Sequence, residues 1–282
     1  MSNSLDTPIN PESIKKDGPI QTSNVMRDDF DFEIPQESVP LPSRGVIYPQ
    51  EGPLHGKETI DIKPMTAKEE DILTSRAYIK SGTVLTKLLQ SCIVNKQIKP
   101  DNLISGDRNA LLVSLRITGY GADYDVEVDC PECSTKSKQT FDLSQLKIKR
   151  LEVSPVIQGE NLFEVELPVT KKSVRVKFLT GNDERDMMIT NERKKKSGMK
   201  VETAITDRLA RSIVSVNGIT DRNKLSFFVK NLPARDSLAL RRFLDKHEPG
   251  IIMKSWMNCP HCHEQSEVGL PMGASFFWPD TE

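Results

Sequence analysis

The sequence predicts an α+β fold built from two diverged internal repeats that share one four-cysteine, zinc-ribbon-like site and follow a flexible N-terminal arm. Three observations carry this expectation. A Cys-Pro-x-Cys knuckle occurs twice, at Cys130/Cys133 and Cys259/Cys262. Asp107, Gly121, Cys130 and Cys133 recur as Asp236, Gly250, Cys259 and Cys262, each 129 residues later. Upstream, a short alternating strand pattern twice runs into a Thr-led helix start. Each repeat thus reads strand, group of helices, strand, knuckle, strand.

The arm comes first. Residues 1 to about 30 are rich in Asn, Ser, Asp, Pro and Lys and hold few large apolar side chains, so they offer too little burial to offset their ordering entropy. Pro40, Pro42 and Pro49 then exclude a helix and favour an extended path. Two readings of this stretch stand: a linker lying across the domain surface, or an arm that docks on a neighbouring subunit. The divisions expected are residues 1–37 for the arm, 38–150 for the first repeat and 151–282 for the second.

Within the repeats, Thr59-Ile-Asp-Ile-Lys63 and Ser173-Val-Arg-Val-Lys-Phe178 alternate as half-buried strands do. Thr66 with Glu69 is a capping box, and Thr180 with Asp183 is its counterpart. Between these starts the offset is 114, so the second copy carries 15 more residues in its helical middle. Asn191-Glu-Arg-Lys-Lys-Lys-Ser-Gly198 lengthens a helix there, and Asn217-Gly-Ile-Thr-Asp-Arg222 is a fuller loop than Asn95-Lys-Gln-Ile-Lys-Pro100. Val84, Leu85, Leu88, Leu89 and Cys92 sit at helical spacing, as do Ala204, Ile205, Leu209, Ile213 and Val214. The next helices begin near Ser105 and Pro233, with Gly121 and Gly250 as left-handed terminators. Ser275-Phe-Phe-Trp-Pro279 reads as a plug on the second repeat's core or as a partner anchor.

The chemistry lies in the knuckles. Structural zinc takes four ligands in a tetrahedron, and each repeat supplies only two thiols. One shared site of Cys130, Cys133, Cys259 and Cys262 is the simplest closure, with one Zn2+ per chain on a pseudo-twofold axis. The long connection between knuckles is no obstacle, because loop-closure cost grows slowly with length. A redox pair would want a helix start after the cysteines, which the polar residues there do not offer. An iron–sulfur cluster would use the same ligands, and His261 or His263 could replace a thiol. Cys92, on an apolar helical face, reads as a core thiol.

Composition narrows the function classes. A net charge of −1 argues against a globally basic nucleic-acid binder, and no apolar run approaches membrane length. The first 30 residues lack an apolar secretory segment, so cytoplasmic synthesis is expected. No phosphate loop, nucleophile elbow or zinc-protease motif is present, so no catalytic residues are expected. A zinc-ribbon nucleic-acid binder is the alternative, resting on the basic runs at Arg193-Lys-Lys-Lys196 and Lys147-Ile-Lys-Arg150.

Three strings carry a resemblance: Leu41-Pro-Ser-Arg-Gly-Val-Ile-Tyr-Pro49, Pro64-Met-Thr-Ala-Lys-Glu-Glu-Asp-Ile-Leu-Thr-Ser75, and Gly106-Asp-Arg-Asn-Ala-Leu-Leu-Val-Ser-Leu-Arg-Ile-Thr-Gly-Tyr-Gly121 running on to Cys130-Pro-Glu-Cys133. Together they resemble the T-even-type bacteriophage baseplate protein family, most specifically over about residues 38–145. The resemblance implies a structural or assembly role without catalysis, as a baseplate hub subunit or hub-assembly chaperone. It also implies other tail proteins as partners, and a site in the host cytoplasm during assembly or in the tail itself.

Overall fold

Alternation at residues 59–62 does produce a strand, and the computed structural model shows what it pairs with. The structure describes residues 35–196, 203–272 and 276–277. β1 (Glu37–Pro40) runs antiparallel to β2 (Thr59–Ile62), with Val39 facing Ile60. Three helices follow: α1 (Ala67–Thr74), α2 (Arg76–Lys80) and α3 (Val84–Cys92). α4 (Ser105–Tyr120) then leads into a hairpin of β3 (Asp123–Asp129) and β4 (Lys136–Asp142), followed by the short β5 (Ile148–Lys149).

The second half opens with β6 (Phe163–Glu166) antiparallel to β7 (Ser173–Val176). α5 (Gly181–Lys196) and α6 (Ala204–Ser212) lead to β8 (Ile213–Val216), which pairs with β7. α7 (Arg222–Lys230) and α8 (Ala234–His247) come next, then β9 (Gly250–Ile251) and a second hairpin of β10 (Lys254–Asn258) and β11 (Gln265–Gly269). The chain is therefore mixed helix and sheet, with one hydrophobic core reaching from Val39 to Phe277.

Several local arrangements occur in both halves. Ile62 bridges Ile93 just beyond α3, as Val176 pairs with Ile213 just beyond α6. The Lys63 amide donates to the Cys92 carbonyl (2.9 Å), and the Lys177 amide to the Ser212 carbonyl (2.8 Å). Both helix starts carry the expected caps. Thr66 and Glu69 form a capping box, and the Thr180 amide and hydroxyl donate to Asp183. Each capping carboxylate also meets the lysine just after the preceding strand, Lys63–Glu69 at 3.0 Å and Lys177–Asp183 at 2.7 Å.

Asp107 and Asp236 explain their own spacing. Both are fully buried in the first turn of a helix, α4 or α8, where the positive end of the dipole favours an anion. Asp107 accepts from the Ser43 amide (3.0 Å), the Ser43 hydroxyl (2.6 Å) and the Tyr48 hydroxyl (2.5 Å). Asp236 accepts from the Val169 and Thr170 amides at 2.7 and 3.0 Å. In each half a turn that follows a Leu-Pro pair, Leu41-Pro42 or Leu167-Pro168, is thereby tied to a helix start.

The two halves meet along α4. Gly106 lies so close to β9 that an added Cβ would fall 1.7 Å from the Pro249 carbonyl oxygen. β5 pairs with β9 across the midpoint of the chain, Ile148 facing Ile251.

Some expectations need correction. Residues 41–49 are neither a surface linker nor an outreaching arm. Leu41, Pro42, Ser43, Ile47 and Tyr48 are buried, because Asp107 draws the turn over the start of α4. Ile213 and Val214 belong to β8, since partnering β7 satisfies backbone groups that one more helical turn would not. The sequence reading had no counterpart for α7, which its Asp221 cap begins by accepting from the Lys224 amide at 2.8 Å. Gly250 is a strand residue; only Gly121 ends its helix at positive φ (86°). Phe276 and Phe277 are buried, as a plug requires, but on the first half. Phe276 stacks edge-on against Tyr124 at 5.2 Å, and its carbonyl accepts from Arg116 at 2.8 Å. Almost all of the expected arm, residues 1–34, and Ser275, Trp278 and Pro279 lie outside the described residues.

Candidate metal centre

A tight turn after a hairpin strand presents backbone amides and two side chains to one side, which is what a cysteine knuckle needs. The β3–β4 turn carries Cys130 and Cys133, and the β10–β11 turn carries Cys259 and Cys262. The two turns match bond for bond. The Ser134 amide donates to the Cys130 carbonyl (2.8 Å) and the His263 amide to the Cys259 carbonyl (3.0 Å). The Cys130 amide donates to Thr135 and the Cys259 amide to Glu264, both at 3.0 Å. Ser134 and His263 take left-handed backbone angles, φ 56° and 61°.

The fold brings the four sulfurs together. Cys130 and Cys262 stand 3.8 Å apart, Cys133 and Cys259 3.7 Å, and all four lie within 4.8 Å of one another. A Zn–S bond of about 2.3 Å sets the corners of a tetrahedron about 3.8 Å apart, so these thiols fit a single ion. A disulfide would need sulfurs about 2 Å apart, which neither pair approaches. A multi-iron cluster would hold its thiolates further apart than a single ion does. His261 and His263 are solvent-exposed and lie outside the group of four. Cys92 is outside this group and fully buried, and burial pushes its thiol up to about 12.

The protons on the four thiols are unevenly held. Hydrogen bonds from the Thr135 hydroxyl and amide bring Cys133 down to about 6. The Cys262 and His261 amides lower Cys259. At Cys262 the Glu264 amide favours the thiolate, but burial and the three neighbouring sulfurs outweigh it and push the group up to about 12. Four thiolates at this spacing repel one another, and a dication among them removes that cost. The sequence reading found all four cysteines and missed Thr135 and the left-handed residue of each knuckle. The latter had a signal, one residue past the second cysteine in both copies.

Elsewhere charges are spent on each other. A cleft of about 460 Å3 lies where the halves meet, lined by Ser105, Lys149, Glu184, Arg208 and Glu248 among others. There Arg208 pairs with Glu248 at 2.9 Å, and Lys149 donates to the Asp245 carbonyl. No helix among the described residues is long and apolar enough to cross a membrane.

Fold and site define a mixed α/β protein whose two hairpins converge on a four-thiol cluster. The family model of T4 bacteriophage base plate proteins matches residues 48–278, and the chain belongs to that family. It is thus a phage baseplate structural protein. No curated protein and no solved structure matches the chain.

Proposed function

We propose that this chain is a baseplate hub subunit or hub-assembly factor of a contractile phage tail, working through contacts with other tail proteins. Cys130, Cys133, Cys259 and Cys262 hold one structural Zn2+ per chain, as the clasp of two diverged repeats spanning 38–150 and 151–282. The observation that carries this reading is the four-thiol cluster, supplied equally by two hairpins 129 residues apart in a baseplate-family chain. The bound ion would neutralise and fix the four thiolates, and a full set of protein ligands leaves no position for a catalytic water. The duplication is supported by the paired caps, the paired lysine–carboxylate bridges and the paired buried aspartates.

A nucleic-acid role draws less support. Lys194 of the basic run is engaged by Asp207 and Thr203, and Lys149 by Asp245.

Native mass spectrometry tests the clasp, and one zinc per chain is expected. Two ions, or none with four free thiols, sinks the shared site. Cys130→Ser and Cys259→Ser should lower the melting temperature equally, since either opens the same site. For the hub, co-purification with tail proteins is expected. Persistence in mature particles marks a subunit, and loss from them marks an assembly factor. A chain found with no tail protein at any stage refutes both.

A further inference from the structure

The thiol hydrogen bonds of the four-cysteine cluster run across the hairpins. Cys130 is bonded to Cys262 at 3.8 Å and Cys133 to Cys259 at 3.7 Å, so each sulfur points at a cysteine of the other half. The four are unequally open to solvent: Cys133 is exposed, Cys262 half-buried, and Cys130 and Cys259 buried. All four sit in the turns between paired strands. Drawing either pair in to an S–S bond of about 2 Å asks those turns to shift by less than about 2 Å.

We propose that oxidation by a peroxide converts this cluster into two disulfides that span the hairpins, Cys133–Cys259 and Cys130–Cys262. The metal clasp thereby becomes a covalent one, and the halves stay joined after the ion is gone. The inference rests on the shared four-thiol site proposed above and is independent of the hub role. Cys133 reacts first, because it is the exposed member of the four. Its sulfur attacks one peroxide oxygen, the O–O bond breaks, and hydroxide departs as the sulfenic acid forms. The Cys259 sulfur, 3.7 Å away, then attacks the sulfenic sulfur; the S–S bond forms and a second hydroxide departs. The two thiol protons turn both hydroxides into water, so two thiols and one peroxide give one disulfide and two waters. Two thiols then remain at the site, too few to hold the ion. A second peroxide oxidises Cys130 and Cys262 in the same way.

Pairing within a knuckle is the alternative, and the fold disfavours it. Each knuckle is a turn closed by its own backbone bond, from the Ser134 amide to Cys130 and from the His263 amide to Cys259. A strand follows each turn, where a Cys-x-x-Cys redox pair uses a helix start. The two pairings also differ in their effect on stability. The cross-hairpin bonds join residues 132 and 126 positions apart and constrain the unfolded chain strongly; a bond within a knuckle constrains it little. Disulfides persist at virion surfaces and are rare in the cytoplasm, which gives a baseplate-family chain a use for both forms.

The test treats the full-length, zinc-loaded chain with hydrogen peroxide while a chromogenic chelator reads the zinc set free. Release of one ion per chain is expected, with Cys92 left as the thiol that alkylates in denaturant. Both cysteines of each knuckle fall within one tryptic peptide, so the unreduced digest separates the outcomes. A linked pair of knuckle peptides upholds the proposal; two unlinked peptides, each two hydrogens light, overturn it. Cross-links between chains, sulfinic acids, or four thiols that survive the peroxide overturn it too. Double variants assign the pairs. Cys130→Ser with Cys262→Ser keeps Cys133 and Cys259, which should link about tenfold faster than the Cys133 and Cys262 kept by Cys130→Ser with Cys259→Ser. Equal rates refute the assigned pairing, and fragment-ion sequencing of the natural chain's linked peptides decides it where a variant fails to fold. The oxidised chain should also melt above the reduced, metal-free chain, and no rise at all sinks the covalent clasp. Linked peptides from a chain that never held zinc uphold the disulfides and sink the metal reading. Zinc release with unlinked peptides does the reverse.

Discussion

Glu69 shows how a single buried carboxylate organises the start of a helix. It closes the capping box with Thr66, meets Lys63 at 3.0 Å and accepts from the Ser91 hydroxyl. Burial alone would raise its pKa, but the hydrogen bonds from Ser91, Thr66 and Lys63 prevail and hold it at about 2. A carboxylate whose folded pKa lies below its unfolded value of 4.5 adds stability above that value, and the gain is lost as pH falls toward 2. Glu69→Gln should therefore cost about 1–2 kcal/mol at pH 7. Denaturant titrations across pH 7 to 2.5 should show that difference shrinking below about pH 4.5; a constant difference would contradict this account. Gly106 makes a purely steric case. Gly106→Ala forces α4 and β9 apart, and a loss of about 2–4 kcal/mol in urea unfolding is expected.

At the scale of elements, the two knuckle turns carry the same strain. A non-glycine residue in the left-handed region costs about 1–2 kcal/mol, partly offset on substitution by the greater entropy lost when glycine is ordered. His263→Gly should raise stability by up to about 1 kcal/mol in a thermal melt with zinc bound, and Ser134→Gly likewise. A clear loss at either would show that the side chain contributes more than its backbone angle costs. Most elements were legible because their signals are local. β2 and β7 follow from alternation, and α1 and α5 from Thr caps three residues before a carboxylate. α3 follows from apolar spacing that ends at Cys92. β8 was hidden because Ile213 and Val214 continue the helical spacing of Leu209, and only the free edge of β7 decides their conformation. α7 was hidden beside a longer signal, though Asp221 capping a run with Leu225 and Val229 is a readable helix start.

For the whole molecule, the four-thiol cluster and Phe276 both join the halves. Phe276 is fully buried against Tyr124, so Phe276→Ala should cost about 3–5 kcal/mol by the same unfolding measurement. If the four thiols hold the proposed zinc, chelation should lower the melting temperature and loosen both hairpins together in hydrogen exchange. Independent loosening of one hairpin would contradict a shared site. The sequence by itself determined the two cysteine knuckles and the helix caps, since these patterns span two to four residues and one backbone geometry reads each of them out. Only tertiary structure decided that the four sulfurs meet, and that the turn after β1 is core because Asp107 lies under it. It alone decided that Phe276 seats on the first half. Those outcomes join residues 59 to 160 positions apart, where packing among competing surfaces selects the partner and no local propensity speaks.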